Sequence, residues 1–221
     1  MIFNFPQRKM TSKGPSFSVI MTVFDNAREL EANLPAFLQQ DYEPGYKVIV
    51  VDETSTDDTE DVLKILKQQN NHLYTTFLPK PDPHVTRRKL ALTIGVKAAT
   101  GNWIILTDIT TPTPSADWLK DVAGVIDDNT GIVFGYYAKK GLCLQTFESI
   151  EEGSQFIRKA ERKHAFGHRG KLFRYQRGLY DFIAMPSSQA HQVLSFFEQD
   201  INSGQLCGLR LSIACRNLFI R

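Results

Sequence analysis

The sequence is short of several features that mark common protein classes. It has three cysteines, Cys143, Cys207 and Cys215, an odd number without metal-type spacing, so neither a disulfide framework nor a zinc site is expected. Their plainest reading is buried thiols in a reducing compartment. No apolar run approaches the ~20 residues of a membrane-spanning helix. The opening stretch MIFNFPQRKMTSKGP lacks the apolar centre and small-residue cleavage site of a secretion signal, and is expected to be a loose tail. Net charge is only +2 over 221 residues, which gives no sign of a nucleic-acid partner. Neither the glycine-rich dinucleotide fingerprint nor a P-loop glycine–lysine motif occurs, which disfavours the enzymes built on them.

What is present is a repeated grammar. Lys47 to Thr59, KVIVVDETSTDDT, runs four apolar, β-branched residues into a carboxylate, then polar turn formers and helix starters. That is how a buried parallel strand hands over to a helix. Trp103 to Thr107 does the same, ending in Asp108 and a proline-rich loop. Asp52 and Asp108 are therefore expected at the carboxyl ends of central strands, where open α/β sheets place their ligands. Such a carboxylate can accept hydrogen bonds from a base or ribose, or hold a cation; the plainer reading is that it caps the following turn.

Around these two stretches the chain alternates. Strands are expected at Phe17–Val23, Lys47–Val51, Leu73–Phe77, Trp103–Thr107 and Ile132–Tyr137. Helices are expected near Ala27–Gln40, from the Ser55-Thr56-Asp57 turn to about Gln69, over Val85–Thr100 and from a Ser115 cap to about Ile126. In the second helix Val62, Leu63, Ile65 and Leu66 are expected to face the core. This βα order predicts an α/β fold with a doubly wound, mostly parallel sheet. Periodicity blurs after Lys139: Leu144–Ala165 can be drawn as a helix, and Gln189–Phe197 looks helical again. The chain thus divides into a tail (1–16), a nucleotide-binding βα half (17–137) and an irregular, acceptor-side portion of the same domain (138–221).

The blocks FSVIMTVFDNARELEANLPAFLQQDY, KVIVVDETSTDDT, RRKLALTIGVKAATGNWIILTD and PSADWL, in that order, resemble glycosyltransferase family 2, the inverting nucleotide-sugar transferases of GT-A, Rossmann-like fold. LYTTFLPK followed by RRKLALTIGVKAA looks like the bacterial branch, whose members act in polysaccharide biosynthesis. The resemblance implies a sugar passed from a nucleoside-diphosphate donor to a glycan or lipid-linked acceptor, in the cytoplasm or at the inner face of the membrane. It implies that Thr22, Val23, Asp25, Asp52, Lys89 and Asp108 bind the nucleotide sugar, and that Asp108 carries a Mg²⁺ or Mn²⁺ ion. It implies a late acidic base, best matched by Glu198 or Asp200 in FFEQD.

The chain departs from that pattern at the chemistry. The second carboxylate of the family's metal motif is Thr110, and the acidic cluster near the base is reduced to Glu198 and Asp200. The alternative is therefore a catalytically degenerate protein of the same fold that acts as a binding or partner module. Residues 158–177 hold eight Lys or Arg against Glu161, suited to a phosphate clamp or peripheral contact with an anionic membrane, or more plainly to a solvated face. His164 and His168 lack a third ligand, and Trp103 and Trp118 are expected in the core.

Overall fold

The computed structural model describes residues 14–78, 87–138, 141–156 and 181–190. Chain order is β1 (Phe17–Val23), α1 (Ala27–Leu38), β2 (Tyr46–Asp52), α2 (Thr59–Gln69), β3 (Leu73–Phe77), α3 (Arg87–Ala98), β4 (Trp103–Thr107), α4 (Trp118–Gly124), β5 (Ile132–Ala138), β6 (Gly141–Phe147) and β7 (Phe182–Pro186). Seven strands form one sheet in the order β3-β2-β1-β4-β7-β5-β6. β1 to β4 are mutually parallel, while β7 runs antiparallel between β4 and β5, and β6 antiparallel beside β5.

The central strands are buried along their whole length, which is why they read as near-continuous apolar runs. Alternate residues feed two cores. Val48, Val50 and Ile105 pack with Leu34 and Phe37 of α1, Val62 and Leu63 of α2, and Trp118 and Val122 of α4. Ile20, Ile49, Val51 and Leu106 pack with Ala91, Leu92 and Val96 of α3 on the other face. This is the doubly wound arrangement expected from the βα alternation.

Three local expectations fail for identifiable reasons. Ile65 is 57% exposed, because the apolar stripe of α2 reaches the core only through Val62, Leu63 and, partly, Leu66. Ser115 does not cap α4; its carbonyl accepts from Trp118 N in a preceding turn, and Asp117 is the N-cap. Leu144 to Phe147 is strand rather than helix, paired along β5 from Ile132↔Phe147 to Ala138↔Gly141. Gly141, the first residue of β6, has φ 119°, and the alternation along β6, half-buried to exposed throughout, carries too weak a strand signal in the sequence. Helix begins only at residue 150, and the expected Gln189–Phe197 helix lies mostly outside the described residues.

Helix α3 ends at Ala98, and glycine at 101 suits a chain leaving a helix. A further reason for glycine there is a close approach: a Cβ would sit 2.6 Å from Phe17 C and 2.7 Å from Ser18 N. Both are backbone atoms of β1 and cannot rotate away. Gly101→Ala is expected to cost about 2–3 kcal/mol of stability, read as a lowered midpoint in urea with an unchanged m-value.

Candidate functional site

The carboxyl ends of β1 to β4 share one edge of the sheet, and the turns that follow them are short and polar. Asp52, the last residue of β2, is 7% exposed. Its Oδ1 accepts from Ser55 N (3.0 Å) and from Ser55 Oγ (2.6 Å). Ser55 Oγ in turn accepts from Asp25 N at 2.9 Å, and Asp25 Oδ1 accepts from Thr56 N (2.7 Å) and Thr56 Oγ1 (3.2 Å). Asn26 N donates to Thr59 Oγ1 (3.0 Å) and Ala27 N to Asp57 Oδ2 (3.1 Å). The Ser-Thr-Asp run after β2 thus does more than start α2: it ties the β1–α1 turn to the β2–α2 turn and orients Asp52. Burial works against the Asp57 charge, but hydrogen bonds from Thr59 and Ala27 outweigh it and hold that carboxyl below the usual range.

Two residues in these turns adopt the left-handed backbone region, Asp25 (φ 50°) and Thr54 (φ 68°). Aspartate tolerates it; a β-branched residue does so at a cost. Thr54→Gly is expected to raise stability by about 1 kcal/mol, net of the extra freedom glycine has when unfolded. Thermal unfolding of the two proteins checks this.

Asp108 follows β4 directly and is also 7% exposed. Its Oδ1 accepts from Thr110 N (2.9 Å) and Thr110 Oγ1 (2.8 Å), and its carbonyl from Thr111 Oγ1 (2.7 Å). Ile109 is buried in the α1-side core and its carbonyl accepts from Asn33 Nδ2 at 2.8 Å, which pins the turn to α1. Thr110 therefore acts here as a hydrogen-bond donor to Asp108. Among the described residues no three His, Cys, Asp or Glu side chains come together as a metal site. One carboxylate with an oxygen already committed does not fit a divalent ion held by the protein alone.

The remaining predicted residues fall along the same edge. Asp52 and Asp108 stand on strands flanking β1, about 10 Å apart by two strand spacings. Alternation gives Asp52 the sense of Val48 and Val50, toward α2, whereas Asp108 continues that of Ile104 and Leu106, toward α3. Thr22 shares the α3-side sense of Ile20; it is 6% exposed and its Oγ1 has no partner among the described residues. Val23 is 1% exposed and its side chain packs in the core. Lys89 lies in the first turn of α3. Glu198, Asp200, the basic 158–177 segment, His164 and His168 lie outside the described residues. A cavity of about 390 Å³ opens beside Asp52, lined also by Thr54, Ser55, Thr76, Phe77 and Leu78; Asp108 does not line it.

Two features of this edge went unread in the sequence. Arg87 opens α3, its guanidinium lies 5.6 Å from the ring centroid of Phe24, and its buried Nε has no partner among the described residues. Its signal was available: the first turn of α3 holds basic side chains and no acidic one. Asp181 immediately precedes β7, whose Phe182 pairs with Thr107, so it falls next to Asp108 on the neighbouring strand. Asp181 is 7% exposed, and its Oδ2 accepts from Tyr137 N at 2.8 Å. Burial, with the charges of Asp181 and Asp121, pushes the Tyr137 phenol up.

A family model described as glycosyl transferase family 2 matches residues 18–181, a span that runs from the second residue of β1 through β6 and ends just before β7. The chain belongs to glycosyl transferase family 2. Solved structures agree on the fold of this family 2 chain. A mannosyltransferase from Pyrobaculum calidifontis, in complex with GDP-Man and Mn²⁺, matches with 21% identity and TM-score 0.56 over 82% of this chain and 47% of its own. Glucosyl-3-phosphoglycerate synthase from Mycobacterium tuberculosis, with Mn²⁺, UDP and glucosyl-3-phosphoglycerate, matches with 16% identity and TM-score 0.51 over 79% of this chain and 58% of its own. S. aureus TarS 1-349 matches at 24% identity and TM-score 0.45 over 53% of this chain and 34% of its own. The chain thus spans about half the length of the first two structures, and their GT-A, Rossmann-like α/β fold is the fold of this sheet. No curated protein matches the chain in sequence.

Proposed function

We propose that this chain binds a nucleoside-diphosphate sugar across the carboxyl edge of its sheet and transfers the sugar, with inversion, to a glycan or lipid-linked acceptor. One observation carries the proposal. Asp52 is oriented in advance by Ser55, at the mouth of a cavity at the end of a central strand, in a family 2 chain. A carboxylate in that place accepts hydrogen bonds from the base. The rest of the donor lies over the end of β1 toward α3, where the unpartnered Thr22 hydroxyl and Arg87 Nε meet its oxygens and Asp108 accepts from sugar hydroxyls. Arg87, Lys89 and the helix N-terminus supply positive charge to the leaving diphosphate.

In this reading the base is Glu198 or Asp200. It takes the acceptor hydroxyl proton as that oxygen attacks the anomeric carbon, and the bond to the diphosphate oxygen breaks on the opposite face. The reaction is proposed for the cytoplasmic face of a bacterial membrane, with residues 158–177 as the peripheral contact; no helix among the described residues is long and apolar enough to cross a membrane. Turnover of UDP-, GDP- and dTDP-sugars, with and without Mn²⁺, tests the proposal; donor hydrolysis or transfer is expected, and no turnover of any donor overturns it.

A second reading is supported by the Thr110 hydroxyl, which is committed to Asp108 where the family pattern has a carboxylate. It is a binding module on the same fold. It predicts nucleotide binding in calorimetry without transfer, and measured transfer sinks it.

A further inference from the structure

The sheet ends at β3, and nothing among the described residues lies beyond that strand. An open edge is usually blunted by a charge, a proline or a bulge. β3 reads LYTTF, with neither charge nor proline, and its register with β2 runs unbroken from Leu73 to Phe77. After Leu73 every residue is aromatic or β-branched, the types that favour strand pairing. Two aromatic side chains are left in water: Phe77 is 73% exposed and Tyr74 42%.

The backbone fixes which groups face outward. His72 C=O accepts from Val48 N at 2.8 Å, and Leu78 N donates to Asp52 O at 2.9 Å. The even-numbered residues of this stretch therefore turn their N–H and C=O toward β2, and Leu73, Thr75 and Phe77 turn theirs away. The side chains of the same three residues face α2. Leu73 packs in the core beneath it, while Thr75 and Phe77 line the cavity between strand and helix, opposite Glu60, Lys64 and Lys67. That cavity is a groove along the open edge.

A second copy of β3 fits this edge by hydrogen bonding and by charge. Antiparallel pairing about a twofold axis at Thr75 overlaps the whole of β3. Thr75 then exchanges two N–H···O bonds with the partner's Thr75, and each Phe77 N–H donates to the partner's Leu73 C=O. The Phe77 ring comes beside the partner's Leu73, and Tyr74 opposite the partner's Thr76, an aromatic and β-branched pair. Helix α2 carries Glu60 and Asp61 in its first turn and Lys67 in its last. The twofold sets the two α2 helices antiparallel, so that each Lys67 faces the partner's Glu60. Lys64, near the axis, is already matched within its own helix by Glu60 (3.0 Å) and Asp61 (3.1 Å). Lys67 lies 5.8 Å from the Tyr74 ring centroid, an exposed contact weak enough to exchange. A foreign strand bearing charge of one sign would match only one end of this groove.

We propose that two copies of this chain join through β3, antiparallel about Thr75, into one continuous sheet. The partner's Phe77 enters the groove at its Lys67 end, away from Asp52, so the pairing does not depend on a bound nucleotide.

Sedimentation velocity on the full chain, over about 1 to 100 µM, tests the proposal; a monomer–dimer equilibrium is expected. Phe77→Lys puts a charge where the single chain is open to water. It is expected to weaken association at least about tenfold and to leave the melting temperature of the monomer within a few degrees of the parent. Thr75→Pro removes an N–H that points to solvent in the monomer but makes a bond in each direction across the axis, and a similar loss is expected, about tenfold. Register is read by Thr75→Cys, which sets two thiols across the axis within disulfide reach. Mild oxidation should give a covalent dimer that neither the parent nor Tyr74→Cys gives. A monomer at every concentration overturns the proposal and leaves β3 to a strand of another protein. A dimer unmoved by both Phe77→Lys and Thr75→Pro overturns it as well, because the contact then lies elsewhere. Cross-linking at Tyr74→Cys without cross-linking at Thr75→Cys overturns the register.

Discussion

An Asp52→Asn protein is expected to lose about a hundredfold in UDP affinity while melting within a few degrees of the parent. The asymmetry follows from how the two oxygens are used. Asparagine keeps a carbonyl oxygen that still accepts from Ser55 N and Ser55 Oγ, so the tie between the two turns survives. The other oxygen becomes an amide group that donates, and a donor set against the N–H of a base replaces attraction with repulsion. Asp52→Ala is the poorer experiment, because it also strips both Ser55 donors of their acceptor and mixes a folding penalty into the affinity. Affinity of the Asn variant within threefold of the parent, by calorimetry, would remove Asp52 from the site.

The largest structural effect is expected at Trp118. It is 1% exposed and stands edge-on to Phe37 of α1 (5.6 Å between centroids, 88°) and Phe182 of β7 (5.0 Å, 88°). One side chain thus joins two elements distant in sequence to α4. Trp118→Ala should cost about 3–5 kcal/mol, on the order of 10 °C in melting temperature for a domain of this size. Trp118→Phe should cost far less, since it keeps an aromatic edge and removes an indole N–H that has no partner among the described residues. Equal losses from the two variants would show that volume and aromatic geometry are not what Trp118 contributes. Because Phe182 directly follows Asp181, the alanine variant should also loosen the edge beside Asp108.

How much of this was legible beforehand follows the range of the interactions. Both strand-tip aspartates, the βα alternation and the core placement of Trp103 and Trp118 rest on local pattern, and the structure has Asp52 and Asp108 at the carboxyl edge and both tryptophans buried. Ile65 shows the limit of that pattern: its spacing fits the apolar stripe of α2, but the sheet ends at β3 and leaves nothing to cover it. Leu144 shows another, since a half-exposed edge hairpin carries too little alternation to outweigh a helical reading. Asp181 was hidden for a geometric reason. A carboxylate at this edge follows a parallel strand, but β7 runs the other way, so its residue at the same edge comes before the strand rather than after it.

The chain's own order of residues decided the secondary structure of β1 through β5, the two faces of the sheet, and where carboxylates could appear, because each depends on neighbours within a few positions. Which side chain orients Asp52, which strand lies beside Asp108, and which residues line the cavity were settled only by folding. Those contacts join residues about thirty (Asp25 with Ser55) and more than seventy (Thr107 with Asp181) positions apart, and no local period encodes them.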